Sequence, residues 1–409
     1  MQKKDNAYEA PSLFTKIYQL LMKFPLLQNI RGLFYFIDGV FLLFIKKPKK
    51  QAGEKKKLLI IVSFALGDCI MFMKAMEGLR ELYSSDQWEI TVTCQRACSV
   101  LFKDLADHVI GLEYTKASVD LKTRFANYKE IRKVNYDLII DPISSSDCSP
   151  NVFMSRAAIG DKKIGVLEWE PRKYQCPKWM RKKIYDEVIN ISKKDLHRIK
   201  LYEEVVRALG YKDFVGEVAK INSEECKELD LPEKFFILFP SASLKVKKWP
   251  LDRCAEIADR IYRTTGYPLV LCGTEHDRAD AEKMLSFSKE NIEVIDCIGK
   301  TNVLQLAGVI GKAAFVVTND TSVYHIAVSM NRKTFLLCGG YVYKRFANYD
   351  YDSINNPVLI YKWRKCFDCN NNCNQSFDET YPCVFDITVD AVWEELSKYF
   401  KEELVIEVN

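Results

Sequence analysis

From residue 57 onward, short apolar runs rich in β-branched residues alternate with stretches whose apolar positions recur every three or four residues. That alternation predicts βαβ units and parallel sheets. In the first half the strands are expected over 58–64, 88–94, 108–114, 136–142 and 162–166. In the second half they are expected over 235–240, 268–273, 292–297, 315–320 and 334–339. Val323, Ile326, Ala327 and Met330 form an i, i+3, i+4, i+7 stripe, which predicts a helix packed on the sheet directly after the fourth strand of that half. The polar stretch INSEECKELDLPEK at 221–234 reads as the connection. The chain therefore divides into an arm at 1–56, a doubly wound α/β domain at 57–222 and a second at 223–409, with a ligand cleft expected between the two domains.

The arm breaks this pattern. Residues 11–45 are apolar and aromatic, but the purest part, 32–45, is shorter than the roughly twenty residues that a membrane-crossing helix needs. Lysines follow at 46, 47, 49, 50 and 55–57. An apolar helix beside a polybasic flank describes a segment lying on an anionic membrane face; a helical extension packed on the body is the plainer reading. Charge follows the same division. Of the net +5, residues 1–57 carry +8 and the remainder −3, so the body offers no basic nucleic-acid surface. The start of the chain lacks a compact apolar core followed by a small-residue cleavage site, and most of the 14 cysteines are scattered, many inside apolar runs. Both features fit a reducing, cytoplasmic location.

Candidate chemistry collects where strands end. Asp68 follows the turn in SFALGD and can serve as a helix cap or as a general base on a hydroxyl. Ser241, Ser243, Lys245, Lys247 and Lys248 follow the strand at 235–240; hydroxyls beside ammonium groups suit a diphosphate, although such a loop can also be merely solvated. Glu275 in LCGTEHD can accept hydrogen bonds from a ribose or complement a helix dipole. In VTNDTSVYHIAV, Asp320, Thr321 and Ser322 open a helix with His325 one turn inside, an arrangement that fits either a plain cap or an anion site. Gly299-Lys300-Thr301 is not a Walker motif, because Val294 stands where its first glycine belongs. No G-x-G-x-x-G follows the first strand of either half, which argues against a dinucleotide-dependent dehydrogenase.

In order and spacing, ALGD (65–68), PSAS through KKWP (240–250), CGTEHD (272–277), GKTNVLQLAGVI (299–310) and NDTSVYHIA (319–327) resemble glycosyltransferase family 9, the ADP-heptose:lipopolysaccharide heptosyltransferases and their relatives. The resemblance runs from Lys57 to about residue 400 and leaves the arm outside. It implies a GT-B architecture of two Rossmann-like domains, and inverting transfer with no cofactor required for catalysis. Asp68 is then the base, Lys247 and Ser243 meet the diphosphate, Glu275 reaches the nucleoside, and Asp320, Thr321 and His325 surround the donor. The implied partners are a nucleotide diphosphate sugar, with ADP-heptose favoured, and a lipid-linked saccharide acceptor at the inner face of the cytoplasmic membrane, where the enzyme is peripheral. Ser322 departs from the family's usual glycine, and Ser241-Ala242-Ser243 replaces a Gly-rich turn; both changes bear on the sugar and the base. A sugar-nucleotide epimerase and a non-catalytic, membrane-associated sugar-nucleotide-binding protein are the rival readings.

Cys366, Cys369, Cys373 and Cys383 stand apart in a C-x2-C-x3-C-x9-C run. Four thiolates can hold structural zinc or an iron–sulfur cluster, and a loop of free thiols is the bland alternative. Beyond them, residues 387–400 predict a closing amphipathic helix capped by Thr388.

Overall fold

The computed structural model describes residues 31–48, 53–144, 150–168, 176–193, 196–244, 247–369 and 380–403. Two sheets organise the chain, each parallel and each of six strands. The first holds β1 (Lys56–Val62), β2 (Trp88–Gln95), β3 (His108–Leu112), β4 (Asn135–Ser144), β5 (Ile159–Glu168) and β6 (Glu187–Ile191), ordered β3-β2-β1-β4-β5-β6. The second holds β7 (Phe236–Phe239), β8 (Leu269–Leu271), β9 (Val294–Asp296), β10 (Phe315–Asn319), β11 (Thr334–Leu337) and β12 (Val358–Ile360), ordered β9-β8-β7-β10-β11-β12. Both are the doubly wound 3-2-1-4-5-6 order of Rossmann folds. The central strands are continuous apolar runs because helices cover both faces of a parallel sheet: Leu58 to Val62 and Phe236 to Leu238 are buried, as is Phe315 to Val317. Every expected strand is present. β6 and β12, the outer strands beyond β5 and β11, are additional.

The chain forms two compact units. One comprises residues up to Phe64 together with Leu79–Lys194; the other comprises Ala65–Gly78 and Asp195–Asn409. The helix that follows β1, α2 (Leu66–Leu82), therefore contributes its first thirteen residues, 66–78, to the second unit. Residues 195–220, before the polar connection, belong there too.

Of the arm, residues 1–30 and 49–52 lie outside the described residues. The helix α1 (Arg31–Leu43) is fastened to the first unit by a buried carboxylate. Asp38 accepts from Arg124 Nε and Nη2 at 2.7 and 2.6 Å and from the Tyr128 hydroxyl at 2.7 Å. The donors stand on the helix α3 (Leu121–Ile131). Arg132 donates to the Leu42 carbonyl at 2.9 Å, and the Arg156 guanidinium lies 3.4 Å from the centre of the Tyr35 ring. Ile45 joins the core of this unit. No helix among the described residues is long and apolar enough to cross a membrane.

Removing one partner of a buried ion pair strands the other charge away from water. Asp38→Ala is expected to lower the unfolding free energy of the first unit by about 3 kcal/mol in urea titration, whereas the double change Asp38→Leu/Arg124→Leu, which removes both charges, costs much less.

Candidate functional site

At the middle of the second sheet the strand order reverses between β7 and β10, and the loops leaving their carboxyl ends border one crevice. Asn319, the last residue of β10, links the two loops. Its side-chain Nδ2 donates to the Pro240 carbonyl at 2.8 Å, and its side-chain Oδ1 accepts from the Trp249 backbone amide at 3.1 Å. Trp249 is itself buried, with its indole N–H donating to the Ile387 carbonyl at 2.9 Å. That carbonyl lies one residue before Thr388, which caps the closing helix α11 (Val389–Glu402) by accepting from the Ala391 amide. Trp249 is thereby fixed, and Lys247, two residues before it, reaches back to Asp320 with Nζ to Oδ2 at 2.8 Å. The Tyr341 ring supports the same ammonium, its centre 5.0 Å away.

These groups border a cavity of about 660 Å³, within the range of small-molecule and cofactor sites. Its walls are Ala65, Leu66, Gly67, Asp68 and Met71 from the start of α2, and Phe239, Ala242, Ser243 and Lys247 after β7. Thr274, His276 and Asp277 follow β8; Asp320, Thr321, Ser322 and His325 follow β10; Val342 and Phe346 follow β11. All of these residues belong to the second unit. Asp68 lies in the first turn of α2, two residues after its start, and is not its cap.

The helix α10 (Ser322–Ser329) opens on this cavity, and its N-cap residue, Thr321, makes no side-chain capping bond. Its first amides, which have no partner within the helix, and the positive end of its dipole suit an anion. His325, one turn inside, is buried, and its Nδ1 is 2.8 Å from the Tyr349 hydroxyl. Burial lowers its pKa to about 4, outweighing the opposing pull of Asp320, so the imidazole is neutral near pH 7. On the other side it faces Gly67, where an added Cβ would lie 2.4 Å from the imidazole Cδ2. Glycine in ALGD is therefore a requirement of close approach rather than of backbone conformation.

Of the residues singled out in the sequence, Asp68, Ser243, Lys247, Asp320, Thr321, Ser322 and His325 line this one cavity. Ser241 is buried, with its hydroxyl 3.5 Å from the Asp277 carbonyl. Glu275 is not among the lining residues: its carboxylate pairs with Arg278 at 2.8 Å, while its neighbours Thr274 and His276 face the cavity. Lys248 turns to Asp280, and Lys245 lies outside the described residues. Sequence reasoning passed over His276, Asp277, Phe346 and Tyr349; the first two sit inside the motif that was read for Glu275 alone. In the cysteine loop, Cys366, Cys369 and Cys383 line one small cavity with Tyr341 and Tyr381, and Cys373 lies outside the described residues. Among the described residues no group of three or more His, Cys, Asp or Glu is arranged to hold a metal ion.

His197 belongs to the same buried aromatic group, its ring 4.7 Å from that of Tyr349. Burial, reinforced by the nearby His325, lowers its pKa to about 3. Both histidines take up protons near pH 6.5 when unfolded but resist until about pH 4 and 3 when folded. The unfolded chain therefore binds more protons in that interval, so their contribution to stability is complete above pH 6.5 and is lost as the pH falls. Melting temperature is expected to drop from pH 6.5 toward 4, and a His197→Gln/His325→Gln variant is expected to show a shallower dependence.

The model of glycosyltransferase family 9 (heptosyltransferase) matches residues 124–374, more than half of the chain. Lipooligosaccharide heptosyltransferase 2 of Haemophilus influenzae is 32% identical over 95 residues, 23% of this chain and 27% of that protein. The chain thus aligns with under a third of the length of that curated relative. The glycosyltransferase family 9 structure from Veillonella parvula superposes with a TM-score of 0.66 at 16% identity, covering 87% of this chain and all of that one. The Escherichia coli heptosyltransferase WaaC with ADP-2-deoxy-2-fluoro heptose gives 0.55 at 16% identity, covering 84% and 99%. With its paired six-stranded Rossmann sheets of the GT-B class, the chain belongs to glycosyltransferase family 9.

Proposed function

We propose that this protein transfers a sugar, heptose-like, from a nucleotide diphosphate sugar to a lipid-linked saccharide such as a lipopolysaccharide core. The observation that carries the reading is one cavity bordered by a carboxylate, Asp68, by the Lys247 ammonium and by the open N-terminus of α10. Transfer requires a base on the incoming hydroxyl and positive charge against the departing diphosphate, and these are the groups present. The acceptor oxygen attacks the anomeric carbon while Asp68 takes its proton. The bond from that carbon to the diphosphate oxygen breaks, and its electron pair leaves with the nucleotide. Lys247, Ser243 and the first amides of α10 receive that charge, so the positive charge comes from the protein itself. Attack from the face opposite the leaving group inverts the anomeric centre. Asp320, Thr321, Ser322 and neutral His325 surround the sugar and diphosphate; Ser241 backs the serine turn, and Glu275, beside the cavity wall, would exchange its Arg278 partner to reach the nucleoside. ADP is the favoured nucleotide, supported by family membership and by the ADP-heptose analogue held by the WaaC neighbour. The body works at the inner face of the cytoplasmic membrane, with the arm against the lipid.

Asp68→Asn is expected to lower kcat about a thousandfold with little change in donor affinity. Lys247→Met is expected to cost about a hundredfold or more in kcat and to abolish the thermal shift given by ADP-heptose. Product analysis is expected to find an inverted anomeric centre, and chelators are expected to leave the rate unchanged. Nucleotide release that needs no acceptor would instead favour the epimerase reading, and transfer that survives Asp68→Asn would overturn the assignment of the base.

The cysteine loop is proposed to hold a structural zinc or iron–sulfur centre through Cys366, Cys369, Cys373 and Cys383. The C-x2-C-x3-C-x9-C run supports the reading; three of its thiols border one small cavity without being arranged as metal ligands. Elemental analysis of the purified chain is expected to find zinc or iron at a fixed ratio to protein, lost together with thermal stability in Cys366→Ser/Cys369→Ser. A metal-free protein of unchanged stability would remove this proposal.

A further inference from the structure

The helix α1 has two apolar faces. One is turned inward by Asp38 and Tyr35; on the other, Phe36 and Val40 stand exposed, Leu43 is 83% exposed, and Phe44, just past the helix end, is 76% exposed. These positions follow i, i+4, i+7, i+8, a single stripe nearly opposite Asp38. A second element continues the stripe. The helix α5 (Lys178–Ile184) presents Trp179, half exposed, with its ring centre 5.2 Å from that of Tyr35 and 6.4 Å from that of Phe36.

The border of this patch is basic. Lys46 and Lys47 follow α1, and Lys178, Lys182 and Lys183 stand exposed on α5, Lys183 with its ammonium 5.9 Å from the Trp179 ring centre. Across 35–48 and 176–184 the single acidic side chain is Asp38, which is buried and neutralised by Arg124. Exposed phenylalanine, leucine and tryptophan rimmed by lysines, with no outward acid, match an interface that enters the headgroup layer of an anionic bilayer. The buried Asp38–Arg124 pair fixes which face of α1 points outward, so the patch is held on the body of the first unit and not on a loose tail.

We propose that α1 and α5 together form a membrane-docking surface for anionic phospholipid, in which Phe36, Leu43, Phe44 and Trp179 enter the acyl boundary and Lys178, Lys182 and Lys183 meet the headgroups. The inference deepens the membrane-associated part of the reading above and rests on it. It also adds α5, which lies outside the arm. Its test reads lipid binding, so that it stands or falls separately from sugar transfer.

The full chain is floated with vesicles of phosphatidylcholine alone or with about one-third phosphatidylglycerol. Partition onto the anionic vesicles is expected, weakening as salt is raised. It is expected to fall about tenfold in Leu43→Glu/Phe44→Glu and, separately, in Lys182→Glu/Lys183→Glu. Brominated lipid is expected to quench the wild-type fluorescence and to quench Trp179→Phe less. Transfer to a water-soluble acceptor fragment is expected to be unchanged in these variants, which also checks that they fold. Three results overturn the proposal: no vesicle binding by the wild type; undiminished binding by both variants, which would move lipid contact elsewhere, including to residues 1–30; or variants that convert an oligomer to monomers while their vesicle partition is unaltered, which would make the patch a contact between copies.

Discussion

The buried carboxamide of Asn319 is the constraint on which the candidate site depends. At the reversal of strand order the loops after β7 and β10 leave in different directions, and nothing in the backbone ladder holds one to the other. One side chain satisfies a carbonyl in the first loop and an amide at its far end, both of them buried. Each group left unsatisfied would cost roughly 1–3 kcal/mol, so the bridge holds Pro240 and Trp249, near the loop's two ends, in one arrangement. Lys247 inherits its position from it: two residues before the anchored Trp249, it meets Asp320, the residue next to Asn319. An ion pair between residues more than seventy apart in sequence thus follows from a single buried amide.

The strands were legible because a parallel sheet covered on both faces writes itself as uninterrupted apolar runs. Leu-Leu-Ile-Ile-Val and Phe-Val-Val admit few other readings. β6 and β12 were not legible, for opposite reasons. EVINI is broken by Glu187 and Asn190, which stand exposed on this edge strand, and VLI is three residues long. The unit boundary was hidden as well. The start of α2 follows β1 directly in sequence, yet residues 65–78 belong with residues beyond 195, a grouping made by non-local packing that no local pattern records.

The site shows the same division. Asp68, Ser243, Lys247 and Asp320 to Ser322 stand where strands end, so polarity at those points marked them. Glu275 stands there too, and the local pattern could not foresee that Arg278, three residues on, would take its carboxylate while Thr274 and Asp277 close a capping box beside it. Tyr349 was invisible because it reaches His325 from an irregular segment whose sequence, ANYDYD, alternates polar and aromatic residues as a strand would yet forms none. Burial of that whole aromatic group keeps the imidazole neutral. An additional cation beside Lys247 would alter the balance of charge in the cavity, so the low pKa of His325 matters to the site as well as to stability.

The Lys247–Asp320 pair bears on what the cavity favours. In the structure the ammonium is already largely withdrawn from water and held by one carboxylate and the Tyr341 ring, so an anion arriving there need not desolvate or immobilise it afresh. A diphosphate brings more negative charge than a carboxylate and can share or take the lysine. Asp320, nearly buried, then needs other donors, because an unpaired buried carboxylate is costly. On the proposed reading the sugar hydroxyls supply them. A bare nucleotide diphosphate offers the charge without those hydroxyls, so the same pair that receives a sugar nucleotide holds the spent nucleotide less well. On that same reading, the exchange of partners at one ion pair connects donor selection to product release.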